Sequence, residues 1–117
     1  MKYNGSCHCG KIKYAIEAPE NITLISCNCT ICYKLGAINI HLDRKDFDLT
    51  SNNYDDLTEY RFHTKLSTYY FCKFCGICPF HTSRRDPNNR VVVNFRTIDN
   101  QSVDNFNIEK YNGIDWI

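Results

Sequence analysis

The stretch "CNCTIC" at residues 27–32 places three cysteines within six residues. Thiols so closely spaced form strained disulfides and good metal sites. Zinc binds thiolates at about 2.3 Å and takes four ligands in a tetrahedron. Cys27, Cys29 and Cys32 supply three of them. A fourth position left to water or an incoming thiol would make a reactive centre, because the metal lowers the pKa of either group. A fourth protein ligand would make a closed, structural centre instead, and Cys78, His8, His41, His63 and His81 are the donors available. Spacing alone leaves these two readings level.

Two further pairs complete a different set. "GSCHCG" (5–10) offers Cys7 and Cys9 between two glycines, and "FCKFCG" (71–76) offers Cys72 and Cys75 in the C-x-x-C form of a zinc knuckle. Together they give four thiolates, enough to close a structural site that joins the start of the chain to its second half. Ion binding at a site absent from the unfolded chain contributes directly to folding. No run matches the cysteine spacing of a ferredoxin.

With 8 cysteines in 117 residues, metal and disulfide readings compete. "MKYNGSCHCG" has no apolar leader region, and no apolar stretch reaches membrane-spanning length. Metal and a cytoplasmic location are the expectation. The formal charge of +1 and a pI near 7.5 argue against nucleic acid or an anionic membrane as the main partner.

The elements that must position these sulfurs are mostly strands, since the apolar pattern has a period of two. "KIKYAIE" (11–17) puts Ile12, Tyr14 and Ile16 on one face. Further strands are expected at 22–26, 38–42, 57–62, 67–71, 90–95 and 105–111, separated by turn signals such as "SNNYDD", "DPNN" and the Asn112-Gly113 pair. One helical turn is expected in "TICYKLG", stopping at Gly36. The chain reads as a single β-rich domain spanning residues 1–117.

"GSCHCG", "CNCTICYKLGA" and "FCKFCGICPFHTSRRDPNN" together resemble the glutathione-dependent formaldehyde-activating enzyme family, and "SRRDPNN" with "YNGIDW" resembles its centromere protein V-like branch. The resemblance runs from about residue 5 to the end. It implies a mainly antiparallel, Mss4-like β fold, with Cys7, Cys9, Cys72 and Cys75 as a structural zinc site. It also implies Cys27, Cys29 and Cys32 as a catalytic zinc site with an open fourth position, so two zinc ions per chain. The implied activity is that of a carbon–sulfur lyase, forming or cleaving an adduct between a small thiol such as glutathione and an aldehyde such as formaldehyde.

Lys34, Arg84 and Arg85 are candidates to bind the carboxylates of such a thiol, since guanidinium groups hold carboxylates bidentately. A solvated basic loop is the simpler reading of the same residues. His81 has the chemistry of a proton shuttle or of a structural strand residue. Tyr69, Tyr70, Phe71, Phe74 and Phe80 read as packing that shields the knuckle sulfurs. The alternative for the whole chain is a non-catalytic two-zinc β module that docks a protein or nucleic acid.

Overall fold

The computed structural model describes residues 1–114. Its strands are β1 (Lys2–Ser6), β2 (Lys13–Glu17), β3 (Thr23–Cys27), β4 (Asn39–Asp43), β5 (Phe47–Asp48), β6 (Leu57–Tyr60), β7 (Tyr69–Cys72), β8 (Phe80–Thr82), β9 (Arg90–Asn94) and β10 (Asn107–Tyr111), with α1 (Thr30–Leu35) after β3. The seven expected strands are all present, some shortened at their ends. β1, β5 and β8 lie outside them. "KYNGS" hides a strand behind an Asn-Gly turn signal, and β5 and β8 are too short to show a period. The helical turn forms as read: Gly36 closes it at φ 67°, a left-handed conformation in which glycine is not penalised.

The strands form a three-stranded sheet ordered β1-β2-β5 and a seven-stranded sheet ordered β10-β3-β4-β9-β8-β7-β6. Pairing is antiparallel except at one edge, where β10 runs parallel to β3. That exception brings the end of the chain to the cysteine triad, because Tyr111 lies opposite Cys27 in the register.

The small sheet covers one face of the large one. Tyr14 stacks on Phe47 at 5.6 Å, and Phe47 meets Phe80 at 4.6 Å. Ile12, Tyr14 and Ile16 are buried beside Val91, Val93 and Phe95. Burying side chains of this size stabilises by roughly 1.5–3 kcal/mol each. Alternation along the strands then decides what the opposite face carries. Tyr69 pairs with His81, His81 with Val92, and Val92 with His41, so one row crosses β7, β8, β9 and β4 on the side away from the small sheet. On β3 the same periodicity puts Thr23, Ile25 and Cys27 together. The row and these three residues line one cavity.

Candidate metal centres and the cavity beside them

The first cluster gathers Cys7 and Cys9 from the loop after β1, Cys72 from the end of β7 and Cys75 from the following turn. All four Sγ atoms lie within 4.8 Å of one another. Cys9 Sγ is 3.6 Å from both Cys7 Sγ and Cys72 Sγ. A tetrahedron with 2.3 Å bonds has edges of about 3.8 Å, so the spacing fits a zinc-sized ion. Backbone N–H groups donate to the sulfurs, from Ile12 to Cys7 at 3.3 Å and from Phe74 to Cys72 at 3.4 Å. Burial pushes the Cys75 thiol up, but N–H donors from Ile77 and Cys9 outweigh it and hold its pKa at about 6. The donor set suits a cation that needs thiolates.

The second cluster is built by the junction of β3 and α1. Cys27 ends the strand, Cys29 is the N-cap residue, and Cys32 lies in the helix. Their three Sγ atoms also lie within 4.8 Å of one another. Each cysteine helps seat the previous one: Cys29 N–H donates to Cys27 Sγ, and Cys32 N–H to Cys29 Sγ, both at 3.4 Å. The Cys32 thiol bonds to Cys29 and, aided by the Cys32 N–H, brings the Cys29 pKa down to about 5 against the opposing effect of burial. Cys32 moves the other way, raised first by that bond to Cys29 and then by burial.

Two side chains with no motif to announce them complete the surroundings of Cys32. Asn39 Nδ2 donates to Cys32 Sγ at 3.6 Å, and the Tyr69 hydroxyl sits 3.8 Å from the same sulfur. Burial, then the charge on Cys32, raise the Tyr69 pKa far above its usual value, so the phenol keeps its proton as a donor. Donors aimed at a sulfur suit a thiolate ligand. Asn39 lines the cavity, and its buried Oδ1 has no hydrogen-bond partner within the described protein.

Among the described residues no histidine, carboxylate or further cysteine joins the triad. Cys78 is buried elsewhere, 6 % exposed, with its Sγ 3.7 Å from the Phe80 carbonyl oxygen. His81 stacks face to face on Tyr69 at 4.0 Å. Burial, with the charge of His41 adding to it, draws its pKa to about 3, which favours the neutral ring. Tyr69 and Phe80 are buried as expected, whereas Phe74 is 60 % exposed and lies under the Lys11 ammonium at 5.6 Å.

The triad opens on a cavity of about 580 Å³. Arg84, Arg85 and Arg90 line it, together with Tyr111. Arg84 Nη2 and Arg85 Nη2 both donate to the Tyr111 hydroxyl oxygen, at 3.5 and 3.3 Å. Lys34 is exposed on α1 and is not part of the cavity lining. The chain after β10 closes over the triad: Asn28 Nδ2 donates to Asn112 Oδ1 at 3.1 Å, and Ile114 N–H to Asn28 Oδ1 at 3.0 Å. Between them the buried Gly113 leaves no room for a side chain, since a Cβ there would stand 2.5 Å from Cys27 Sγ. Asp115 and Trp116 of "YNGIDW" lie outside the described residues.

A crystal structure of a Rhodobacter sphaeroides protein superposes on this chain with a TM-score of 0.79 at 25% sequence identity, covering 91% of this chain and 99% of that one. The family profile described as glutathione-dependent formaldehyde-activating enzyme matches residues 2–112. That match takes in both cysteine clusters and nearly every element that positions them, and the chain belongs to this family.

Proposed function

We propose that this chain is a zinc-dependent enzyme of the carbon–sulfur lyase type, joining a small thiol to an aldehyde or cleaving their adduct. The observation that carries the reading is the contrast between the clusters. One is closed by four sulfurs, and the other presents three sulfurs to a cavity with no further protein ligand among the described residues. In this reading Cys7, Cys9, Cys72 and Cys75 hold a structural zinc, while Cys27, Cys29 and Cys32 hold the catalytic one. Bound there, zinc would supply an open position at which a thiol sulfur is kept as thiolate near neutral pH.

The chain's own residues do the rest. Asn39 and Tyr69 fix Cys32 Sγ by hydrogen bonds. Arg84 and Arg85, gathered on Tyr111, meet the acidic end of the thiol. Lys34 has no part in this reading, because its side chain lies off the cavity. In the bond-forming direction the thiol sulfur attacks the carbonyl carbon, the C=O π pair moves to oxygen, and the thiol proton ends on that oxygen as a hydroxyl. Cleavage is the reverse. Holding both reactants in one cavity supplies acceleration through proximity. The rival reading, a closed two-zinc docking module, needs Cys78 or a histidine beside the triad, and gains no support from where those residues lie.

The test is exchange of carbon-13-labelled formaldehyde with glutathione, followed by NMR on metal-loaded protein. Acceleration that is lost in Cys29→Ser is expected. Absence of both glutathione binding and faster exchange would refute the assignment.

A further inference from the structure

The cavity is far larger than a one-carbon electrophile requires, and part of its wall, leading away from Cys27, is hydrocarbon. Ile25 lies two residues before Cys27 on β3, so both side chains point the same way and stand about 7 Å apart along the strand. Val92 continues that wall, and Phe62 and Tyr69 line it as well, with ring centroids 5.9 Å apart. The hydrogen atoms of formaldehyde are too small to cover a wall of this extent. Two guanidinium groups of the lining, Arg84 and Arg85, gather on the Tyr111 hydroxyl. Apolar surface is favourable to cover only with apolar matter, and pockets of this size bury ligands well beyond one carbon.

We propose that the aldehyde partner carries an apolar substituent of several carbons, which lies along Ile25, Val92 and Phe62 while the acidic thiol end meets the arginines. This rests on the thiol–aldehyde reading of the site and specifies its substrate class. The chemistry is unchanged: the sulfur–carbon bond forms, the carbonyl oxygen takes the proton, and the substituent R of R–CHO becomes the R of the adduct RS–CH(OH)–R. What changes is the binding, which grows with the apolar area covered.

S-methyl-, S-propyl- and S-hexylglutathione are stable thioethers that stand in for adducts of increasing length, and their affinities for the metal-loaded protein are read by calorimetry. Each methylene placed on the wall is expected to tighten binding about fourfold, until the cavity is filled. Ile25→Thr keeps the β-branched shape that the strand needs. It should weaken the hexyl compound about tenfold, leave the methyl compound unchanged, and leave the metal content at the wild-type value. The wild-type series alone is decisive should the variant fold poorly. Measurable binding with no dependence on chain length would overturn the apolar-aldehyde proposal while leaving the thiol–aldehyde reading intact. Failure of every thioether to bind would also overturn the apolar-aldehyde proposal, and failure of glutathione itself to bind or exchange would overturn both.

Discussion

Gly113→Ala is a one-methyl change far in sequence from every cysteine, and it should empty the second metal centre. The new Cβ would sit 2.5 Å from Cys27 Sγ and 3.2 Å from Cys29 Cβ, where ordinary contact begins at 3.4 Å. About 0.9 Å must therefore be found. If the sulfur yields, its displacement is several times the roughly 0.2 Å by which zinc–ligand distances vary, and the metal is lost. If the strap yields, the bonds from Asn112 and Ile114 to Asn28 break, each worth about 1 kcal/mol. Overpacking of this kind costs about 1–3 kcal/mol in either case. The first cluster shares no residue with this contact, and it should keep its ion. Metal per chain, measured by plasma emission, is expected to fall from two to one, with circular dichroism unchanged. A Gly113→Ala protein holding both ions at wild-type affinity with undiminished stability would refute the claim that the strap closes on the triad.

Cys78→Ser should leave both ions in place and cost about 1–3 kcal/mol of stability, since it puts a hydroxyl where a buried thiol was; loss of the second ion would instead make Cys78 its ligand. Cys72→Ser should do far more harm, lowering the melting temperature and releasing the first ion, because metal binding at a site tying β7 to the N-terminal loop is itself folding free energy; an unshifted melting curve would show the cluster to be dispensable. His81→Phe tests the buried imidazole. Its pKa is depressed in the folded protein, so the unfolded chain binds the extra proton below about 6.5 and stability drains as pH falls toward 3. Between pH 6 and 4 the wild type should lose up to about 1.4 kcal/mol per pH unit more than the variant, and parallel urea-denaturation profiles would sink that assignment.

The sequence announces ligands better than it announces their surroundings. The two cysteine sets, the strand leading into Cys27 and the short helix ending at Gly36 all follow from spacing and periodicity, because a zinc tetrahedron and a pleated strand each impose a fixed interval. Asn39 and Tyr69 impose none. Each meets Cys32 only because β4 and β7 are brought beside α1, and a polar residue in "INIHL" or a tyrosine in "STYYF" has no local reason to be singled out. Gly113 was legible as a turn signal, yet the structure uses it for close approach to a sulfur. The parallel β10–β3 pairing that delivers it there depends on a contact between residues about 84 positions apart, which no window of sequence contains.

That edge pairing also explains how one small domain keeps a three-cysteine cluster mostly buried while one side opens on a cavity. Cys27, Cys29 and Cys32 sit at the end of β3, next to the sheet's edge strand, where the ladder would otherwise stop. β10 extends the ladder by one strand, and its last residue, Tyr111, reaches both the Arg84–Arg85 loop and the register position of Cys27. The same five-residue strand therefore orders the basic groups and supports the cover over the sulfurs. Tyr111→Phe should separate the two roles. It removes the hydroxyl that accepts from both guanidinium groups and keeps the ring and the backbone ladder. Both ions should remain, while affinity for glutathione falls about tenfold, the scale of one lost charge-assisted hydrogen bond. If metal content drops along with ligand affinity, the hydroxyl is organising the sulfur cluster itself, and the division of labour along β10 is wrong.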